Sequence, residues 1–563
     1  MEISRQQFIQ KLPTIEKAIS ECDFLAVDTE LSGLHRPPTS IRLYSMEDRY
    51  KEYKEATERF LIIQFGLCTF TWDEPTGRYI AKPFNFYIFP TSMTGQVTTN
   101  RLFMTQAQAF DFLTKQSFDF NKWVYQGIPY LTIEEEKEFV SEASKKLNEN
   151  IPDIPIDEQE LKFVEEAREK IQEWIKTWNG KPVETTTKTV KAEDIDGVNI
   201  TTKNAYQRRL LYQEVRKFDG LTAIGLQGFI RVVRLSKKQQ EDRLKEKKEK
   251  FEKDCEIAIG FRKVIDMISK SRKLVIGHNM LLDICHIIGQ FVQPLPDTLL
   301  EFKTLAHKLF PKMIDTKYIC ISMPEFQSIF GTGTALETVR FETSKSMFKN
   351  PHIDMHPAFP RYLTDMAHEA GCDAYMTGFV FLKLVSFLDK SRHPDKYSLF
   401  DKEEENDTKE EEEGKERKVD ADGWEISESE NEEDSEWDKP IEEEVYNYGS
   451  IRVDLNNEIL SDIMNKTALV RTAFSCFDFV SPEPLVNQTN TFHVLAKTTT
   501  QHFPKELAHD FFSRYGKYII ENDCHNPQAA FVVFENLKED PLKIVGDKFV
   551  ITPISEYLLN NKK

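Results

Sequence analysis

Over the first 130 residues, apolar side chains gather in short continuous runs parted by polar turns. Phe24 to Val27, Phe60 to Trp72 and Phe84 to Phe89 are such runs. Runs of this length with flanking turn residues predict buried strands. Asp73 to Gly77 separates the second and third as a turn, and Pro90 stops the third. Residues 4–20 instead repeat at helical spacing, with Phe8, Leu12, Ile15 and Ala18 on one face. Gln106 to Lys115 and Phe118 to Trp123 are also predicted helical, the latter ended by Gly127-Ile-Pro129. Strand, turn, strand beside a first strand predicts a mixed sheet.

From about residue 131 the pattern changes. Glu134 to Asn148 and Glu158 to Trp178 are charged helices, Lys181 to Asn199 is a Thr-rich polar loop, and Leu226 to Leu235 is a strand. Lys237 to Lys253 is a long charged helix with Lys and Glu at pairing distance. The earlier pattern resumes after about 255 with a strand, turn and helix start over Lys273 to Ile284, a strand around Met313 to Lys317, and an apolar helix through Leu388. One domain is thus predicted to be inserted into another. The predicted division is 1–150 and 255–395 for the host, 151–245 for the insert, 400–445 for an acidic disordered segment, 446–484 for the end of the host and 485–560 for a small α/β unit.

The net charge of −19 argues at first sight against a nucleic-acid partner. Much of that acid lies between Lys402 and Glu444, a self-repelling block poor in apolar residues. The eight cysteines contain no Cys-x-x-Cys pair, so neither a zinc knuckle nor a disulfide framework is indicated. Tyr375 to Leu388, interrupted by Lys383, is too short to span a bilayer. A soluble, intracellular protein is expected.

Candidate chemistry starts at Phe24-Leu-Ala-Val-Asp-Thr-Glu30. Alternate side chains of a strand share a face, so Asp28 and Glu30 project together. Alone, the pair reads as a strand that ends in a polar turn with Ser32-Gly33 before it reads as a metal site. Asp283 follows the strand Leu274 to Ile276 and the turn Gly277-His-Asn279, and Asp373 opens a helix five residues after His368. Each acid singly suits a helix cap or a surface position. Together they form four carboxylates and a histidine in a fixed order.

That order, with Phe65-Gly-Leu-Cys-Thr-Phe70, Phe118-Asp-Phe-Asn-Lys122, Leu274-Val-Ile-Gly-His-Asn-Met-Leu-Leu-Asp283 and His368-Glu-Ala-Gly-Cys-Asp-Ala-Tyr375, resembles the poly(A)-specific ribonuclease family. These are 3′ exoribonucleases of the Asp-Glu-Asp-Asp-His class. The resemblance implies an RNase H-like mixed-sheet α/β exonuclease domain, and two Mg²⁺ ions held by Asp28, Glu30, Asp283 and Asp373. It implies that His368 takes the proton of the attacking water. It also implies hydrolysis of single-stranded RNA with poly(A) 3′ ends to 5′-AMP, a homodimer, and a place in nucleus and cytoplasm.

By the same resemblance Lys317 contacts poly(A), and Asn279 and Leu31 lie where a terminal nucleotide docks; the family commonly has Phe at the latter position. The inserted domain resembles an Arg-x-x-x-His single-strand-binding module, with Arg208 and Tyr212 at the signature positions. The last unit resembles an RNA-recognition motif. There Phe492 and Phe531 occupy positions of base-stacking aromatics, and each suits a core position equally well. Glu521 to Asn526 lacks the tryptophan on which the family stacks a cap nucleotide, which puts cap binding in doubt. The rival readings are a trimmer of small-RNA 3′ ends, whose relatives tend to carry a membrane anchor, and an inactive RNA-binding scaffold.

Overall fold

The computed structural model describes residues 1–34, 46–91, 101–147, 153–178, 196–235, 237–331, 333–363, 368–394, 451–469, 476–481, 490–497, 502–516, 518–523, 526–534 and 548–560. The acidic segment 400–445 and most of the Thr-rich stretch 181–199 lie outside the described residues.

In chain order the elements begin with β1 (Glu2–Ile3), α1 (Arg5–Glu21), β2 (Phe24–Leu31), α2 (Met46–Arg59), β3 (Ile62–Asp73), β4 (Arg78–Tyr87), α3 (Ala107–Lys115) and α4 (Phe120–Gln126). Then come α5 (Ile133–Leu147), α6 (Leu161–Thr177), β5 (Gly197–Thr201), α7 (Ala205–Val215), β6 (Leu221–Gly225), β7 (Phe229–Arg234) and α8 (Lys237–Ala258). They continue with α9 (Arg262–Ser271), β8 (Leu274–Gly277), α10 (Leu281–Ile287), α11 (Leu299–Leu309), β9 (Met313–Asp315), α12 (Thr316–Ser322), α13 (Pro324–Phe330), α14 (Leu336–Glu342), β10 (Ile353–Met355) and α15 (Ala370–Arg392). The remaining strands are β11 (Lys466–Ala468), β12 (Cys476–Asp478), β13 (Thr491–Ala496), β14 (Tyr518–Asn522), β15 (Ala529–Phe534) and β16 (Phe549–Pro553).

Contacts divide the chain into two compact units. One comprises residues up to Thr132 and from Gly260 onward; the other is essentially Ile133–Ile259. The division thus falls at Ile133 and after Ile259, whereas the sequence pattern placed it at 151 and 245. The charged helices α5 and α8 pack on each other within the second unit, which carries its start earlier and its end later.

The first unit is built on a seven-stranded mixed sheet in the order β1-β4-β3-β2-β8-β9, with β10 added on β4. β4, β3 and β2 are antiparallel neighbours, while β2, β8 and β9 run parallel. The strands read as continuous apolar runs because both faces of the sheet are covered. Leu25, Val27, Phe65 and Phe86 face one core with α1, α9 and α10. Phe24, Ala26, Cys68, Phe70 and Ala81 face the other core with α15.

α15 has 23 residues, is longer than the apolar stretch suggested, and has the length and composition to cross a membrane. It is instead buried against β2, β3 and β4 as the central helix of that core. Lys383, the charge within it, turns its ammonium to the Lys349 carbonyl at 2.5 Å. The same unit carries a separate four-stranded antiparallel sheet, β14-β15-β13-β16, backed by the helix Lys505–Phe512.

In the second unit the antiparallel sheet β5-β7-β6 packs against α6 and α7. Ala167, Ile171, Ile200, Leu211, Val215, Ile230 and Val232 form its core. The buried Glu214 carboxylate is held between Arg168 at 2.9 Å and Lys217 at 2.5 Å, which lower its pKa against the opposing effect of burial.

Candidate active site

The two faces of β2 explain how the acids converge. Phe24, Ala26, Asp28 and Glu30 share the face that α15 covers, so the carboxylates meet Asp373 in the first turn of that helix. Ligand oxygens of Asp28, Glu30 and Asp373 all lie within 4.8 Å of one another. Asp283 lies outside this trio, in the first turn of α10, and is tied to the strand by the Thr29 hydroxyl, which donates to its Oδ1. A register shift between Glu30 and Leu31 marks a bulge at this strand end.

Burial raises the pKa of Asp28 well above the usual carboxylate range, and Asp373, Asp283 and Glu30 add to it. Glu30 is raised likewise by burial, then by Asp373 and Asp283. Burial pushes Asp283 up to about 6 against the favourable hydrogen bond from Thr29. Mutually repelling carboxylates, one buried and three half-buried, are poorly stable in the charged form as they stand. Hard, all-oxygen donors of this kind fit a divalent cation.

The approach of α15 to the sheet depends on Gly66 of β3, the register partner of Asp28. A Cβ at Gly66 would lie 1.8 Å from the Ala370 carbonyl oxygen. Gly371 is equally confined, since its Cβ would meet the Tyr362 hydroxyl at 2.4 Å. The free amides at the start of α15 are satisfied by buried side chains of the sheet. Ala370 N–H donates to Gln64 Oε1 at 2.8 Å and Gly371 N–H to Asn85 Oδ1 at 3.1 Å. Asn85 Nδ2 in turn donates to Glu369 at 2.9 Å, and Arg361 grips Glu369 with two bonds of 2.7 and 2.9 Å.

His368 sits just before this helix with φ +65°, in the left-handed region. Its backbone N–H donates to Asp373 Oδ1 at 3.3 Å, and its Nε2 lies 2.8 Å from Glu337 of α14. The Phe112 ring meets the imidazole edge to face at 5.1 Å. The histidine is thus brought to the trio through Asp373.

The other expected residues divide. Asn279 is exposed and has φ +62°; its N–H and that of Met280 donate to Asp315. Asp315 is fully buried and also accepts from Lys317, Tyr318 and Ala468 amides, so it ties β9, α12 and β11 together. Lys317 stands at the start of α12 rather than at a strand end. His278 is a structural residue, with Nδ1 2.9 Å from the Thr316 hydroxyl and Nε2 3.0 Å from the Thr334 carbonyl. Burial first, then Lys317, lowers its pKa to about 3. Leu31 packs half-buried against the core.

In the second unit, Arg208 and Tyr212 stand one turn apart on α7 beside Gly225 of β6, and Arg208 donates to the Leu226 carbonyl at 3.2 Å. Arg216 pairs with Asp153 at 2.7 Å. In the separate sheet Phe492 is a core residue, whereas Phe531 faces the opposite side.

Gln64, Asn85, Glu369, Arg361 and Asp315 were not singled out from the sequence. Gln64 and Asn85 did carry a signal: each is a lone amide inside an apolar strand, where a buried polar group needs a partner.

A model of the family described as CAF1 family ribonuclease matches residues 3–381. The poly(A)-specific ribonuclease PARN of Xenopus laevis is 34% identical over 428 residues, covering 70% of this chain and 64% of that protein. The chain therefore spans just under two thirds of that relative's length. The pre-piRNA 3′-exonuclease trimmer of Bombyx mori is 28% identical over 395 residues, covering 68% of this chain and 71% of that one. Among solved structures, S. pombe Pop2p in its Mg²⁺- and Mn²⁺-bound form aligns at 15% identity and a TM-score of 0.33, over 70% of this chain and 93% of that one. The family model covers more than half of the chain, and the chain belongs to the CAF1 family of ribonucleases.

Proposed function

We propose that this protein is a 3′-to-5′ exoribonuclease that shortens poly(A) tails and releases 5′-AMP. The observation that carries the reading is the partly buried trio Asp28, Glu30 and Asp373, with Asp283 held beside it by Thr29. Asp28, Glu30, Asp283 and Asp373 would hold two divalent ions, and Mg²⁺ suits their hard oxygens. Bound there, such a pair supplies Lewis-acid stabilisation of the attacking and leaving oxygens of the phosphodiester.

The protein groups supply the rest. Asp373 accepts the backbone N–H of His368 and so holds that residue's main chain beside the trio. His368 Nε2, which in this structure contacts Glu337, is the base that takes the proton of the attacking water. Glu369, Arg361, Asn85 and Gln64 position the start of α15. We assign substrate contacts to Lys317 and Asn279, whose backbone amides share the buried Asp315 carboxylate. We further assign contacts with single-stranded RNA to Arg208 and Tyr212 in the second unit, the arginine being suited to follow phosphates. Leu31 lines the same strand end without an aromatic ring for stacking. A homodimer and residence in nucleus and cytoplasm belong to the same proposal, on the strength of the resemblance to poly(A)-specific ribonucleases.

The similarity to a pre-piRNA trimmer keeps a second substrate in view. Purified protein with labelled single-stranded RNAs ending in A, C, G or U decides the matter. Removal of A-runs well ahead of other ends supports the deadenylase. Equal trimming of all ends points to the trimmer, and no cleavage in Mg²⁺ refutes both.

A further inference from the structure

The sheet β14-β15-β13-β16 has two faces of opposite character. Phe492, Val494 and Ala496 of β13 and Val532 and Phe534 of β15 point inward, onto Ala508, Phe512 and Tyr515. The alternate residues face outward. His493 of β13 stands opposite Phe531 of β15 and Thr552 of β16, which makes one row across the three strands. Aromatic and imidazole rings on the two central strands of such a sheet are a stacking platform for unpaired bases.

That platform is covered from within the chain. The helix Ile554–Asn560 follows directly on β16 and packs against β13 and β16. Its Ile554 is fully buried. Tyr557 lies flat on the His493 ring, with centroids 3.9 Å apart and planes at 21°, and meets Phe531 edge to face at 5.5 Å. The Tyr557 hydroxyl donates to Asp523 Oδ2 at 3.3 Å, and His493 Nε2 lies 3.1 Å from the same oxygen. The tyrosine thus makes the two contacts a base would make: a face-on stack, and an edge donor given to a buried carboxylate. An N–H at the edge of a base makes the same bond to Asp523. The cover is partial, because Val550, two residues before Thr552 on the same face, is 42% exposed.

We propose that the outer face of this sheet is a binding surface for single-stranded RNA that the helix Ile554–Asn560 holds closed, with Tyr557 occupying the place of a base. RNA competes with the tyrosine for His493 and Phe531, and displacement of the helix opens the face. This surface is distinct from the carboxylate site and does not depend on hydrolysis.

The test uses the full chain and a circular single-stranded RNA, which offers no 3′ end to the carboxylate site. Binding is followed by fluorescence anisotropy. Tyr557→Ala should tighten binding by about fivefold or more, since RNA no longer displaces a stacked ring. Tyr557→Phe keeps the ring and loses the bond to Asp523, so its gain should be smaller. Adding Phe531→Ala to Tyr557→Ala should return binding to the level of the unaltered chain.

Unchanged affinity in Tyr557→Ala, or a gain that survives Phe531→Ala, overturns the proposal. Should Tyr557→Ala fail to fold, crosslinking of a 4-thiouridine circle decides. Crosslinks to the peptide around His493 or Phe531 that increase in Tyr557→Phe support the closed face. Crosslinks absent from that peptide in both chains overturn it.

Discussion

Replacing Gly66 by alanine tests how the candidate site is assembled. The added methyl would sit 1.8 Å from the Ala370 carbonyl oxygen, and no side-chain rotation relieves a clash with backbone. Separation to about 3 Å moves the start of α15 by roughly 1.2 Å relative to β3. That movement stretches the bonds from Ala370 and Gly371 amides to Gln64 and Asn85, and carries Asp373 away from Asp28. Overpacking of this kind costs about 1–3 kcal/mol, and exposure of two buried amides adds to it. A misplacement of about 1 Å at a reacting centre costs on the order of 10²-fold in rate. Gly66→Ala should therefore melt several degrees lower and cleave an A-tailed RNA in single turnover about 10²-fold more slowly. Thermal melting by circular dichroism and quench-flow cleavage measure the two effects. Unchanged melting and rate would refute the claim that close contact at Gly66 assembles the site.

His368→Ala should lose about 10²–10⁴ in rate with RNA affinity preserved, and a loss confined to affinity would assign the histidine to binding. In chelator, pH should reveal the carboxylates. Asp283 folds with its pKa near 6 from a usual 3.8, and Asp28 and Glu30 shift the same way. The folded state then binds more protons between about pH 4 and 6, so the contribution of these groups to stability improves as pH falls through 6 and worsens as it rises. The unaltered chain should gain melting temperature relative to Asp283→Asn between pH 7 and 5, and a parallel pair of curves would contradict this. A 7-methylguanosine cap analogue should leave cleavage rates within about twofold, because the 521–526 stretch holds no tryptophan, tyrosine or phenylalanine to supply the usual stacking energy and its Asp523 is engaged by His493 and Tyr557. Strong stimulation by the analogue would show stacking elsewhere.

Much of this arrangement was legible because it is local. Asp28 and Glu30 share a strand face by the period of two alone, and the apolar run before them announced a strand covered on both sides. Asp283 and Asp373 were placed at helix starts by the turns that precede them. What escaped depends on pairing across the chain. Gln64 and Asn85 matter because the register of β3 and β4 brings them under α15, nearly 300 residues later. Asp315 looked like part of a short strand, and its five backbone partners come from three segments. Phe492 and Phe531 could not be sorted until the register of β13 on β15 showed that the first points inward and the second outward. The second compact unit begins and ends in the charged helices α5 and α8, whose mutual packing leaves little trace in the hydrophobic pattern.

Binding of divalent metal by the four carboxylates can be read without turnover. Mn²⁺ should be titrated into the metal-free full chain and into Asp28→Asn, with bound ion followed by electron paramagnetic resonance and heat by calorimetry. Two ions per unaltered chain, with binding lost or greatly weakened in Asp28→Asn, is the expected result. Equal Mn²⁺ binding by the two proteins, with RNA cleavage intact in the variant, would contradict it.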